Sequence, residues 1–200
     1  GLCPGPGASG TIPYRYDSLS RLVRVERDGE AWEATYDPLG RRISKRWRGE
    51  TTLYWWDVFR LAAEESSDGA LRLYVYADDE ALVPFMFVEY ADRTAEATAG
   101  CRHYLFTNHL GVPLRVEDDQ GEAVWAAEAD PFGTLRVTLN RGVEMPLRFP
   151  GHYFDPEIGL HYNRFRYYSP ELGRYLQPDP LGFEASLNAH AYSPNPLINV

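Results

Sequence analysis

Tyr14-Arg-Tyr-Asp-Ser-Leu-Ser-Arg-Leu22 and Tyr36-Asp-Pro-Leu-Gly-Arg-Arg-Ile43 carry one pattern twice. The step between copies is fixed. Tyr16-Asp17, Tyr36-Asp37 and Trp56-Asp57 follow at intervals of 20 residues, and Tyr76 falls on the next step with Asp78 displaced by one position. A constant period of this size marks a repeat architecture. Tyr-x-Tyr sets two rings on one face of a strand. Asp then opens a turn: in Asp37-Pro38-Leu39-Gly40 a side-chain acceptor, a fixed φ and a permissive exit occupy the first, second and fourth corners of a type I turn. Arg-Leu or Arg-Ile starts the returning strand. Two strands of about six residues and two turns fill such a unit. Each repeat therefore reads as a hairpin, and successive hairpins extend one antiparallel sheet.

The same turn chemistry continues beyond the regular period. Asp130-Pro-Phe-Gly133 and Asp179-Pro-Leu-Gly182 have the four-residue form, while Asp155-Pro-Glu-Ile-Gly159 and Ser169-Pro-Glu-Leu-Gly173 are one residue longer. Ser66-Ser-Asp-Gly69 is a further turn. Leu71–Tyr76, Leu114–Glu117 and Leu135–Asn140 alternate apolar and polar residues, as in a sheet with one wet face, and His161–Tyr168 alternates ring and charge. The one helix signal is short, Phe183 to Ala191. The division expected is 1–13 as linker or cut point, 14–90 as repeats, 91–100 as a loop and 101–200 as a distinct core.

Composition agrees with strands and turns: 14 Tyr, 9 Phe, 5 Trp, 17 Gly and 15 Pro. A net charge of −9, with scattered arginines, argues against a nucleic-acid partner. No apolar run is long enough for a membrane span. The start, Gly-Leu-Cys-Pro-Gly-Pro-Gly, lacks the charged and apolar regions of a signal peptide. Cys3 and Cys101 match no metal spacing and read as free thiols, Cys101 as a small buried apolar group. His103, His109, His152, His161 and His190 fit no ligand motif. No cofactor and no metal site are expected.

Three stretches identify a family. They are Phe106-Thr-Asn-His-Leu-Gly-Val-Pro-Leu-Arg115, Leu147-Arg-Phe-Pro-Gly-His-Tyr-Phe-Asp-Pro-Glu-Ile-Gly-Leu-His-Tyr-Asn-Arg-Phe-Arg-Tyr-Tyr168, and Gly173-Arg-Tyr-Leu-Gln-Pro-Asp-Pro-Leu-Gly182. With Tyr192-Ser-Pro-Asn-Pro196, they resemble the Rhs repeat-associated core of tyrosine–aspartate (YD) repeat proteins. That resemblance implies a mainly β fold, in which antiparallel hairpin repeats form part of a spiralling shell. It implies a secreted or cell-surface parent that encloses a C-terminal toxin domain, with the remaining shell and a delivery system as partners.

The resemblance also implies aspartic self-cleavage in the parent. Asp179, in Arg174-Tyr-Leu-Gln-Pro-Asp-Pro180, is the candidate catalytic residue. Its partner aspartate belongs to an Asp-Pro-x-Gly-Leu motif expected beyond Val200. Two close carboxylates can share one proton and divide the roles of base and acid; one alone cannot. Spacing alone makes Asp179 a turn residue like Asp37 and Asp130. Ser169 stands where many relatives carry Asp. The alternative function is an adhesion or carbohydrate-binding surface module using the aromatic ladder, although such rings more often pack across strands. An independent hydrolase lacks a visible nucleophile–base pair.

Overall fold

The computed structural model describes residues 13–178. Strands β1 (Tyr14–Tyr16), β2 (Leu22–Arg27), β3 (Glu30–Tyr36), β4 (Arg42–Trp47), β5 (Glu50–Asp57) and β6 (Arg60–Ser66) span the regular repeats. They are followed by β7 (Leu71–Val75), β8 (Met86–Tyr90), β9 (Cys101–Thr107), β10 (Pro113–Glu117), β11 (Ala123–Ala129) and β12 (Leu135–Asn140). All twelve form one sheet in sequence order, each strand antiparallel to the next. The sheet runs on past the 91–100 segment, where Glu89 pairs with Cys101. That segment contains one short 3-10 turn, Ala97–Ala99, and is pinned to the sheet by Arg93, which pairs with Glu65 and lies over the Trp55 ring.

Two turn designs alternate along the repeats. The Asp-led design is complete at Asp37. Gly40 N–H donates to the Asp37 carbonyl at 3.0 Å, and Asp37 N–H donates to the Arg41 carbonyl at 2.9 Å. The Asp37 carboxylate accepts from Arg41 N–H at 2.8 Å. Gly40 sits at φ +80, a left-handed corner that favours glycine, though Ser20 takes φ 60 at the same corner of the Asp17 turn. The same pattern recurs at Asn108, Asp118 and Asp130. The opposite hairpin ends use two-residue turns. Asp28-Gly29 and Arg48-Gly49 hold both φ angles positive, the geometry that matches the twist of the flanking strands. Val58-Phe59, after Asp57 at the Asp-led end, is also a two-residue turn, but only its β-branched Val58 takes a positive φ, 50. Register shifts fall beside Tyr16, Tyr36 and Trp56, so the period also places a bulge at each aromatic anchor.

A second antiparallel sheet holds β13 (Tyr153–Asp155), β14 (Leu160–Asn163), β15 (Arg166–Ser169) and β16 (Arg174–Tyr175). It corrects one expectation. His161–Tyr168 is not one strand but β14 and β15, reversed at Arg164-Phe165, where Arg164 takes φ 54 without help from Gly or Asn. Cys101 is a second correction: it is a free thiol, but it lies exposed at the start of β9. The smaller sheet covers one face of the larger. Val25, Trp32, Tyr54, Tyr74, Phe87 and Trp125 from the large sheet share a core with Tyr153, Leu160, Tyr162 and Tyr167 from the small one.

Candidate functional site

The conserved spacing of the repeat has a hydrogen-bond basis. Three of the aromatic anchors each donate to a carbonyl in the preceding repeat's returning strand. Tyr36 Oη donates to the Leu22 carbonyl at 2.5 Å, Trp56 Nε1 to that of Arg42 at 2.7 Å, and Tyr76 Oη to that of Leu61 at 2.8 Å. The arginines point the other way. Arg21 Nε donates to Asp17 at 2.7 Å while its Nη1 reaches the Asp37 carbonyl in the next turn at 3.2 Å. Arg41 repeats this with Asp37 and the Val58 carbonyl, and Arg60 with Asp57 and the Asp78 carbonyl. Burial opposes ionisation of Asp17 and Asp37, yet the hydrogen bonds from Arg21 and Arg41 hold both carboxylates below their usual range. Arg21 and Arg60 also stack on Tyr36 and Tyr76. These rings are thus engaged within the sheet at their polar ends.

Between the sheets lies a buried charge network. Arg42 is 1% exposed and surrounded by Trp32, Tyr54, Tyr153 and Tyr162, the nearest ring centroid 4.5 Å away. Its Nη1 donates to Asp155 of the small sheet. Lys45 Nζ lies 3.3 Å from the same carboxylate and 2.8 Å from Glu157. Burial alone would lower the Arg42 pKa, but the Asp155 carboxylate raises it well above its ordinary value. A second node centres on Glu64, which accepts from Tyr153 at 2.6 Å, Tyr74 at 2.7 Å and Arg72 at 3.1 Å. Every buried carboxylate in this network is matched by cations or phenols. It can hold the sheets in register, but it leaves no carboxylate pair sharing a proton.

Sequence reasoning missed this network. Asp155 does open the expected turn, its carbonyl accepting from Gly159 N–H at 2.9 Å, but its side chain points into the core. Arg42 takes the inward position that Leu22 holds one repeat earlier, while Ile43 faces outward. The signal available was that mismatch: a cation at an apolar position of the period.

His152 and His161 meet with Nδ1 atoms 3.4 Å apart, both buried. Burial first, then the Arg166 charge, lowers His152 to about 3; burial, His152 and Arg148 lower His161 to about 2. Among the described residues, no group of three or more His, Cys, Asp or Glu side chains is placed to hold a metal ion. A cavity of about 480 Å³ opens beside this pair, walled by Trp56, Phe59, Tyr76, Phe149, Phe165 and Arg148 among others.

Asp179 lies outside the described residues, as do the Asp179–Gly182 turn, the Phe183–Ala191 helix signal, His190 and Cys3. The approach to Asp179 is described. Leu176 N–H donates to the Tyr167 carbonyl at 2.8 Å, and Gln177 Oε1 accepts from Tyr167 N–H at 2.7 Å. The Ser169 hydroxyl accepts from Leu172 N–H at 3.2 Å, so its side chain opens the turn.

Aromatic anchors, Asp-led turns and a continuous meander covered by a smaller sheet define a segment of a YD-repeat β-shell. The family model for the teneurin YD-shell matches residues 68–198. The chain is 37% identical to the double-stranded DNA deaminase toxin A of Burkholderia cenocepacia, over 96% of its own length and 15% of that protein. It is 34% identical to the toxin protein Tse5 of Pseudomonas aeruginosa, over 94% of its length and 17% of that protein. The TcdB2–TccC3–Cdc42 crystal structure superposes with a TM-score of 0.75 at 21% identity, covering 94% of this chain and 10% of that one. The chain belongs to the teneurin YD-shell family, and its relatives include Rhs-type toxin proteins. It spans less than a fifth of the length of those two toxin relatives.

Proposed function

We propose that this chain forms wall and inner covering of a shell that encloses a toxin domain in a larger exported parent. The observation that carries the reading is the small sheet itself. Asp155, Glu157 and Tyr153 fasten it to one face of the repeat sheet, so that face is built to be sealed inward. Likeness to toxin-bearing proteins supports an enclosed toxin as the cargo, with the rest of the shell and a delivery system as partners. The same likeness supports a secreted or cell-surface location. No helix among the described residues is long and apolar enough to cross a membrane. In this reading the chain divides into a linker or cut point at 1–13, repeats at 14–90, a loop at 91–100 and a core at 101–200.

In the same reading, Asp179 supplies one carboxylate of a self-cleaving pair that separates the shell from its cargo. The support is its place in Arg174-Tyr-Leu-Gln-Pro-Asp-Pro180. The test uses a parent extending past Val200 into a second Asp-Pro-x-Gly-Leu motif. Asp179→Asn keeps size and turn-forming ability but removes the ionisable group. The variant should fold and remain one uncut chain on a denaturing gel. Two fragments at the wild-type rate would reduce Asp179 to a turn residue.

A further inference from the structure

The cavity between the sheets has an unusual wall for a chain of net charge −9. Its described lining is largely aromatic and apolar, with His152, Asn163 and four arginines, Arg60, Arg148, Arg164 and Arg166, and no Asp or Glu. Arg60 is neutralised by Asp57 at 2.6 Å. Arg148 has no such counter-charge among the described residues. It is 7% exposed, and its Nη1 donates to the Met145 and Leu147 carbonyls at 2.7 and 2.8 Å. Its guanidinium lies 4.5 Å over the Phe154 ring. No carboxylate pairs with it among the described residues, and burial pulls its pKa down to about 10. Arg164, on the same wall, lies over Phe59 at 4.7 Å, likewise with no carboxylate among the described residues.

A guanidinium out of water and without an anion is held at a cost that carbonyls offset only in part. Its planar fork is matched by a carboxylate, which accepts two parallel N–H bonds. Cavities of about 300–1,000 Å³ with mainly apolar walls and a few placed polar groups are the usual form of small-ligand sites. We propose that this cavity binds an apolar carboxylate, with the aryl or alkyl group against Trp56, Phe59 and Phe149 and the carboxylate on Arg148. A free organic acid and the C-terminus of a peptide with an apolar last residue share that chemistry. The site does not depend on Asp179 or on cleavage.

The test is calorimetric titration of the chain with 3-phenylpropionate, with the uncharged 3-phenylpropan-1-ol, and with a tripeptide ending in phenylalanine as free acid or amide. The acid should bind one to one, and the alcohol about tenfold more weakly or worse, the ratio expected for losing a charge-assisted hydrogen bond. Arg148→Met should remove that discrimination. Because Arg148 is buried and its loss endangers folding, Leu82→Trp serves as a second variant. Leu82 is half exposed at the rim, and the larger ring should block the cavity while leaving Arg148 and the circular dichroism unchanged. Tripeptide acid binding without amide binding assigns the site to a chain end; phenylpropionate binding without tripeptide binding assigns it to a free acid. Either supports the site. Failure of both acids to bind, equal affinity for phenylpropionate and the alcohol, or undiminished binding in Leu82→Trp would overturn it.

Discussion

Tyr153 of the small sheet donates its hydroxyl to Glu64 of the large sheet at 2.6 Å, joining residues 89 apart in sequence. Beside it, Asp155 sits between Arg42 and Lys45. The apolar contact between the sheets sets how strongly they associate. These polar contacts set where, because each needs its own partner opposite.

The two nodes should differ in cost when broken. Asp155→Asn leaves Arg42 buried without its counter-charge, and removing one member of a buried pair costs about 3–5 kcal/mol. Tyr153→Phe leaves Glu64 still bound to Tyr74 and Arg72, so the loss should be about 1–3 kcal/mol. Urea unfolding measures both. A small and equal loss for the two variants would show that Arg42 finds water when Asp155 is neutral.

Gly40→Val should damage folding far more than Leu39→Val. Gly40 sits at φ +80, and a Cβ there would meet the Phe165 ring at 3.0 Å. The left-handed conformation alone costs a residue with a Cβ about 1–2 kcal/mol. Leu39 is 65% exposed at the tip of the same turn. Equal shifts in melting temperature would contradict the turn geometry.

Val58→Gly should stabilise the chain. Val58 holds φ 50, where a β-branched side chain is strained, and only its backbone carbonyl is used, by Arg41. Relief of about 1 kcal/mol corresponds to a rise of about 2–4 °C in Tm for a domain of this size. An unchanged or lower Tm would mean that the Val58 side chain repays its strain through packing.

Acid should destabilise the protein through its histidines. Unfolded, each takes up a proton near about pH 6.5, whereas His152 and His161 in the fold resist protonation down to about 3 and about 2. The unfolded chain therefore binds more protons. The contribution is complete above about pH 6.5 and is lost as pH falls toward the folded values. Each histidine adds a slope of up to about 1.4 kcal/mol per pH unit. His161→Phe keeps a ring and removes one proton site, so its stability should fall less steeply between about pH 6 and 4. Identical slopes in chemical denaturation would show that His161 is hydrated.

The repeat was legible in the sequence because its determinants are local. Tyr36, Asp37, Gly40 and Arg41 lie within six positions, and each acts on a backbone group that the period itself supplies. The period placed a turn after Asp57, but its two-residue form at Val58-Phe59 was not legible, and Arg164-Phe165 was not legible as a turn at all. Neither pair carries the Gly or Asn that signals positive φ, and the pairing on both sides imposes the bend. Arg42 and Asp155 escaped for a different reason. Each has an adequate local role, as strand residue and turn opener, and only the docking of one sheet on the other brings them together.

The Arg42–Asp155 contact carries a consequence in time. Arg42 and Lys45 leave the ribosome more than a hundred residues before Asp155 does. Until Asp155 arrives, two hydrated cations sit on a face otherwise lined with Trp32 and Tyr54, and shedding that water is uphill. The early repeats can therefore pair edge to edge while their inner face resists drying onto a wrong surface. The last quarter of the chain brings the counter-charges, and closure waits for it.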